Sequence, residues 1–496
     1  MSVIRKQSIQ HTLVNYIGVA IGLLSTMFIY PRATELYGLY QIVFGSSLLV
    51  TSFFLLGFNV LAIKFFPRFK NEANGHNGFL NLLIKGGLIG FVLFLIFFPL
   101  VRYILLDLLF GKNENRALFE SHFYFIIPIV LLFILNNLFL KYISNFHKIV
   151  IPTILDQLLI KIVLPSLVLL YLAQLIDLRI FFLLVCINYI FVFIGLVFYT
   201  RSLNQLHLKA NKTFIDKPLA IEMRSYAGYG ILNAIGVQLA FRIDILMVAG
   251  LVSISSGGIY GIVNIIIDVI TKPAKAIIAI ANPIISDKWE ANDTKAIEGI
   301  YKKSSIVLLI SGLFIFMGIW LSVDDLFSLM PNSEQMRTGK YVIFFLGISK
   351  LFDLATSVNT QIIANSKKFK FNFYVLLLLA VLNIIFNLVL IPKYQMVGAA
   401  LATLCSLGIF NFVKLIYIWV QSKMQPFSNK TILLLAISAI CYIICVNLPV
   451  SFHPFLNIMI RSIILTLLYF LAVYYFNVSE DLNESIDSFF RKYLNR

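Results

Sequence analysis

Charge is scarce in this chain. Of its 496 residues 13% are Asp, Glu, Lys or Arg, while 60% are hydrophobic; a soluble domain carries roughly 25% charged residues. Acid is the scarcer sign, with 23 Asp and Glu against 40 Lys and Arg and a formal net charge of +17. On a soluble protein that excess would suggest nucleic acid, but no basic, aromatic-bearing soluble domain exists here to bind it. Cysteine is nearly absent. Cys186, Cys405, Cys441 and Cys445 all lie in apolar segments, which excludes a disulfide framework. Cys441 and Cys445 are one helical turn apart, a spacing read as small-residue packing between helices rather than as metal or redox chemistry. The six histidines have no ligand spacing, so neither a metal nor a cofactor is expected. Walker A, HExxH and GxSxG motifs are missing. Every loop on the outer side is short, leaving no room for the large extracytoplasmic loop of a membrane polymerase or glycosyltransferase. An enzyme is therefore not expected. No small-residue cleavage site follows Arg5 and Lys6, and the first apolar run ends at Tyr30-Pro31-Arg32, so it reads as an uncleaved helix.

Long apolar runs are abundant, among them Gly86–Leu100, Phe181–Tyr199 and Phe373–Leu390. A spanning helix needs about 20 mostly apolar residues. Hydrocarbon offers the backbone no hydrogen-bond partner, so helices are the spanning element. The fold class is an all-α integral membrane protein of about fourteen transmembrane helices. Spans are expected near 11–30, 40–63, 82–106, 121–143, 150–172, 179–200, 225–249, 257–283, 304–322, 340–364, 370–391, 397–420, 431–449 and 455–476.

Alternate loops differ in charge. One set holds Arg5 and Lys6, Arg68 and Lys70, Lys148, Arg201 through Arg224, Lys288 through Lys303, Lys367 and Lys368, and Lys423 and Lys430. The other has little more than Arg32, Lys112, Arg116, Arg179, Arg337 and Lys393, and Ser253–Gly258 has no charge. The positive-inside rule puts the first set and both termini in the cytoplasm, and an even helix count agrees. The expected location is a bacterial inner (plasma) membrane, multi-pass.

A weak repeat straddles the basic loop after the sixth span. Phe66-Pro67-Arg68 with Glu72-Ala73-Asn74 is echoed by Asn282-Pro283-Ile284 with Glu290-Ala291-Asn292. Ile143-Ser144-Asn145 before His147-Lys148 is echoed by Ile363-Ala364-Asn365 before Lys367-Lys368. The nearly common offset predicts two pseudo-symmetric six-helix lobes, 1–205 and 225–425, joined by a cytoplasmic linker over 206–224. Two further helices occupy 426–478. In the tail, 479–496, Leu482, Ile486, Phe489 and Phe490 share one side, fitting either a surface helix or a disordered end.

Charges inside spans are the informative residues. Each costs about 2.5–3.5 kcal/mol at mid-helix and so faces a cavity or a partner. In the eighth span Tyr260, Asn264, Asp268, Lys272 and Lys275 recur at helical steps, predicting one shared polar face; Pro273 predicts a kink there. Alternatively Lys272 and Lys275 snorkel to the interface, and Asp268 only neutralises Lys272. The seventh span carries Gln238, Arg242 and Asp244, with Arg242 either facing a cavity or held in an interhelical ion pair. The fifth holds Asp156, Gln157 and Lys161; the tenth holds Lys350, Asp353, Ser357 and Gln361. Lys85, Lys414 and Arg461 read as lone snorkelling charges. Together these faces predict a mostly cationic cavity suited to an anionic group such as a pyrophosphate. Asp268, Asp244, Asp156 and Asp353 are the coupling-ion candidates.

Two stretches resemble a known family. Leu382-Asn383 through Asn387-Leu388-Val389-Leu390-Ile391-Pro392-Lys393-Tyr394, then Val397-Gly398-Ala399-Ala400-Leu401-Ala402-Thr403, resembles the eleventh-to-twelfth helix hairpin of polysaccharide flippases, which usually have Gly where this chain has Gln395. Arg242-Ile243-Asp244 followed by Gly257-Gly258-Ile259-Tyr260 resembles that family's RxD and GxY, and Lys64-Phe65-Phe66-Pro67 its second-helix ending. The family belongs to the multidrug/oligosaccharidyl-lipid/polysaccharide (MOP) exporter superfamily. The resemblance implies alternating access on undecaprenyl-pyrophosphate-linked oligosaccharide for O-antigen, capsule or exopolysaccharide synthesis. Implied partners are that lipid-linked substrate, membrane lipid, and the polymerase and glycosyltransferases of the same pathway. Arg242, Lys272, Lys275, Tyr260, Asn264, Lys64 and Lys161 are the expected substrate-binding residues. A lipid II flippase and a cation-coupled multidrug extruder remain alternatives, with a membrane polysaccharide polymerase or glycosyltransferase as the alternative of another class; the two last helices fit polysaccharide and lipid II flippases better than twelve-helix extruders.

Overall fold

The computed structural model describes residues 3–110, 115–209, 214–449, 452–484 and 487–488. Among these residues every regular element is helical. Among the described residues ten helices are long and apolar enough to cross a membrane, which makes the chain a multi-pass membrane protein. Each of the fourteen stretches expected as spans falls on helix, but several are interrupted. Phe489, Phe490 and Ile486 of the tail, and Lys112, Asn211 and Lys212 of the loops, lie outside the described residues.

Packing divides the chain into two compact units, residues 1–261 and 262–496. In the first, α1 (Val3–Phe28) leads to α2 (Thr34–Phe54) and its short continuation α3 (Phe58–Lys64). Then come α4 (Phe79–Arg102), α5 (Ile126–Ser144), α6 (Leu159–Leu172), α7 (Leu178–Ser202), α8 (Lys217–Leu251) and the start of α9 (Ile254–Ile267). A π-helical turn, Ile154–Leu158, precedes α6 and carries Asp156. The seventh span, α8, packs along α2 and α3. The proposed division into homologous halves at 206–224 is thus distinct from the division by packing.

Where α2 meets α9 the backbones approach closely. A Cβ on Gly38 would lie 1.9 Å from the Ile254 carbonyl oxygen, and one on Gly258 would lie 2.1 Å from that of Thr34. Only glycine fits at either place, and the Thr34 and Ser255 hydroxyls hydrogen-bond across the crossing at 2.8 Å. Outside the spans, Arg68 makes a two-pronged pair with Glu222, at 2.5 and 2.9 Å.

The second unit contains the end of α9, then α10 (Lys272–Glu290), α11 (Thr294–Leu321), α12 (Lys340–Thr356), α13 (Asn359–Ala364), α14 (Lys370–Ser422), α15 (Asn429–Val446) and α16 (Pro454–Tyr475). The 53-residue α14 holds two expected spans joined at Gln395, whose φ of 52° and ψ of −132° break the helix. This is the position where glycine is usual in the resembled family, and glycine is the residue that adopts such angles without strain. Gly398 then returns tightly against Leu390. The last two helices pack on α11 through Leu309, Leu313, Leu434, Cys441, Cys445, Leu465 and Tyr469, with Leu482 against the same cluster. Both cysteines are reduced packing residues. Tyr469 donates to the Ile310 carbonyl at 3.0 Å, and the Trp320 indole to the Tyr442 hydroxyl at 3.2 Å. Arg461, expected to snorkel, instead pairs with Asp325 at 2.8 Å and donates to the Leu321 carbonyl.

Candidate functional site

In the first unit Arg242 and Asp244 lie on α8, which packs along α2. Arg242 and Asp244 are two residues apart on α8, about 200° around a helix of 3.6 residues per turn, so they face different ways. Asp244 is buried and accepts from the Tyr260 hydroxyl at 3.4 Å. Arg242 is half-buried, its guanidinium carbon 5.8 Å from the Phe44 ring centroid and within electrostatic reach of Tyr37 and Tyr40. Tyr37 in turn accepts from Gln41 at 2.6 Å. Among the described residues no carboxylate forms a salt bridge with Arg242. The ion-pair alternative for this residue is therefore not what the side chains do. A guanidinium beside an aromatic wall retains its forked donors for a ligand oxygen.

Lys161 lies across from α1: its Nζ is 3.1 Å from where a Cβ on Gly18 would stand, so Gly18 makes room for the ammonium. Asp156 is partly buried in the π turn. Lys64 is exposed in the last turn of α3.

In the second unit the expected polar face of the eighth span is interrupted. α9 ends at Ile267, a 3-10 turn runs over Asp268–Thr271, and α10 begins with Pro273 in its first turn. Proline has no N–H to continue the ladder, and a turn of three residues instead of 3.6 rotates everything beyond it. Tyr260 and Asn264 therefore do not share one helical face with Lys272 and Lys275, which are both exposed. Asp268 pairs across to α12, with Lys350 Nζ at 3.0 Å from its Oδ1. Its partner is thus Lys350 rather than the neighbouring Lys272.

A buried polar network lies nearby, on α12, α13 and the second half of α14. Lys414 is 2% exposed, donates to the Thr360 hydroxyl at 2.8 Å, and lies 3.8 Å over the Phe410 ring. Asn411 accepts from the Thr356 hydroxyl and the Asn359 amide, both at 3.1 Å, and donates to Asp353 at 3.3 Å. Reading Lys414 as a snorkelling charge is overturned by its burial. The available signal was Asn411, three residues before it on an apolar helix and hence on the same face.

The comparisons agree on the fold. A family model described as MatE matches residues 231–389. No curated protein matches the chain in sequence. A solved structure of the lipid II flippase MurJ in an inward closed conformation superposes with a TM-score of 0.70 at 15% identity, covering 98% of this chain and 100% of its own. An inward-facing multidrug resistance MATE family transporter of the MOP superfamily gives 0.62 at 10% identity, covering 83% of this chain and 94% of its own. A MOP superfamily transporter from Pyrococcus furiosus gives 0.54 at 11%, with 85% and 94% covered. The chain therefore has the fold of the MOP superfamily transporters.

Proposed function

We propose that this protein is a flippase that carries undecaprenyl-pyrophosphate-linked oligosaccharide across a bacterial inner membrane by alternating access, with both termini cytoplasmic, for cell-surface polysaccharide synthesis. The observation that carries the reading is Arg242, a half-buried guanidinium in a membrane helix with an aromatic wall and, among the described residues, no carboxylate in a salt bridge. A polar head cannot cross hydrocarbon alone, and a charged path lowers that barrier while the tail stays in lipid. Lys161, Lys64, Lys272 and Lys275 supply further positive charge, with Tyr260 and Asn264 as polar contacts. Asp268, Asp244, Asp156 and Asp353 are the proposed coupling groups. The hairpin over residues 382–403 supports the polysaccharide branch of the fold, and pathway polymerases and glycosyltransferases are the proposed partners. In a flipping assay with extracted lipid-linked glycan, Arg242→Ala abolishes transport at normal membrane level. Arg242→Lys restores part of it, since an ammonium lacks the fork. Normal transport by Arg242→Ala refutes the reading.

The second reading is a lipid II flippase. It is favoured by the superposition on the MurJ structure, which extends over 98% of this chain and so includes the last two helices. Proteoliposomes offered lipid II and lipid-linked oligosaccharide in parallel separate the two.

A further inference from the structure

The second unit holds a cavity of about 500 Å³ between the end of α10, the 365–368 turn and the end of α14. Its floor is apolar, formed by the buried Ile362, Ile363 and Ile418. Trp289 stands in its wall, fixed by an indole hydrogen bond of 2.9 Å to the Ile362 carbonyl. Lys367 and Lys368 are at its rim, Lys368 donating to Gln421 at 2.7 Å. Among the described residues Glu290 is the one carboxylate that lines it.

The weak sequence repeat pairs two residues of this region with aromatic residues of the first unit. By its pairings Phe146 corresponds to Ser366, and Phe66 to Asn282. In the first unit the two phenylalanines at the paired positions pack against each other. Their ring centroids are 5.2 Å apart and edge to face, with Tyr142 5.2 Å from Phe146 and His76 5.7 Å from it. In the second unit a serine lines the opening and Asn282 binds Asn365 at 2.9 Å, so neither position carries a ring, and the His147-Lys148 pair of the first unit is replaced by Lys367-Lys368.

We propose that this cavity is a binding site for the phosphodiester headgroup of an anionic phospholipid in the cytoplasmic leaflet. The positive-inside pattern places residues 286–295 and 365–370 on that face. Basic pockets between membrane helices on that side take anionic headgroups, and an indole suits interfacial depth. Exposed apolar side chains adjoin the lining in sequence, Phe369 after Lys368, Trp419 after Ile418 and Ile284 before Ser286, and acyl chains lie against them. The volume argues against a lone phosphate, because about 10–15 Å³ of such space holds one water and a small ion would leave most of the cavity to solvent.

The test is native mass spectrometry of the full chain from nanodiscs of phosphatidylglycerol, of phosphatidylethanolamine, or of the latter with millimolar inorganic phosphate. The wild type retains phosphatidylglycerol over phosphatidylethanolamine. Lys367→Ala with Lys368→Ala weakens that retention by about thirtyfold, from the usual contribution of two lysines near an anionic surface. Glu290→Gln strengthens it, since it removes the opposing charge. Ser366→Phe fills the opening and abolishes retention without unfolding the protein, which guards against a folding defect in the double variant. Equal retention of both lipids, an unchanged double variant, or displacement of the lipid by inorganic phosphate each overturns the proposal.

Discussion

Lys350 and Asp268 form an ion pair of 3.0 Å that ties α12 to the 3-10 turn interrupting the eighth span. With the Asp268 side chain half exposed, the pair contributes about 1 kcal/mol or less to stability. Either Lys350→Met or Asp268→Asn should lower thermal stability slightly, and the double variant should recover most of the loss. Flipping driven by a pH gradient with the potential clamped then separates roles. Asp268→Asn that keeps full gradient dependence leaves the pair structural and excludes proton coupling through this carboxylate.

The Lys414 network makes a contrast testable by thermal unfolding in detergent. Asn411→Leu strands the Asn359 amide donor, while the Thr356 hydroxyl keeps the Phe352 and Asp353 carbonyls, and should cost about 1–3 kcal/mol. Lys414→Met removes a buried charge whose direct acceptor, Thr360, is neutral, and should be neutral or stabilising by about 1 kcal/mol. A larger loss for Lys414→Met than for Asn411→Leu would show that the ammonium itself organises the cluster.

Gln395→Gly should raise stability by about 1 kcal/mol. The strain of a left-handed residue, about 1–3 kcal/mol, is relieved, and the added freedom of glycine in the unfolded chain offsets part of it. Gln395→Ala keeps the strained angles and should show no gain.

Asp293 caps α11, accepting from the Ala296 N–H at 3.0 Å, with Lys288 Nζ 3.4 Å away. The cap hydrogen bond first, and the lysine second, hold this carboxyl below its ordinary range. The stabilisation is therefore present above about pH 4, the ordinary range of an unfolded aspartate, and is lost as pH falls through the lower folded value. Melting curves between pH 6 and pH 3 should fall less steeply for Asp293→Asn than for the wild type.

What the sequence reveals follows from how local each cause is. The spans are legible because an apolar run such as Phe181–Tyr199 names its own solvent. The break in α14 is visible as Gln395 standing in a glycine's place. The polar face through Tyr260, Asn264, Asp268, Lys272 and Lys275 misleads because helical spacing presumes an uninterrupted 3.6-residue period, and the 3-10 turn before Pro273 removes it. The partner of Asp268 lies 82 positions on, at Lys350, and that of Lys414 lies 54 back, at Thr360. No local pattern encodes such pairings, so lone charges look like surface charges.

The packing of the last two helices on α11 also carries a clock. Leu309 is translated 125 residues before Leu434, a member of the same buried cluster. At about 5–20 residues per second, α11 waits some 6–25 s for its covering helices. During that interval its packing face meets only lipid, earlier helices or the insertion machinery. The second unit can reach its final packing only once these two helices have arrived, so their own synthesis sets the earliest moment of its assembly.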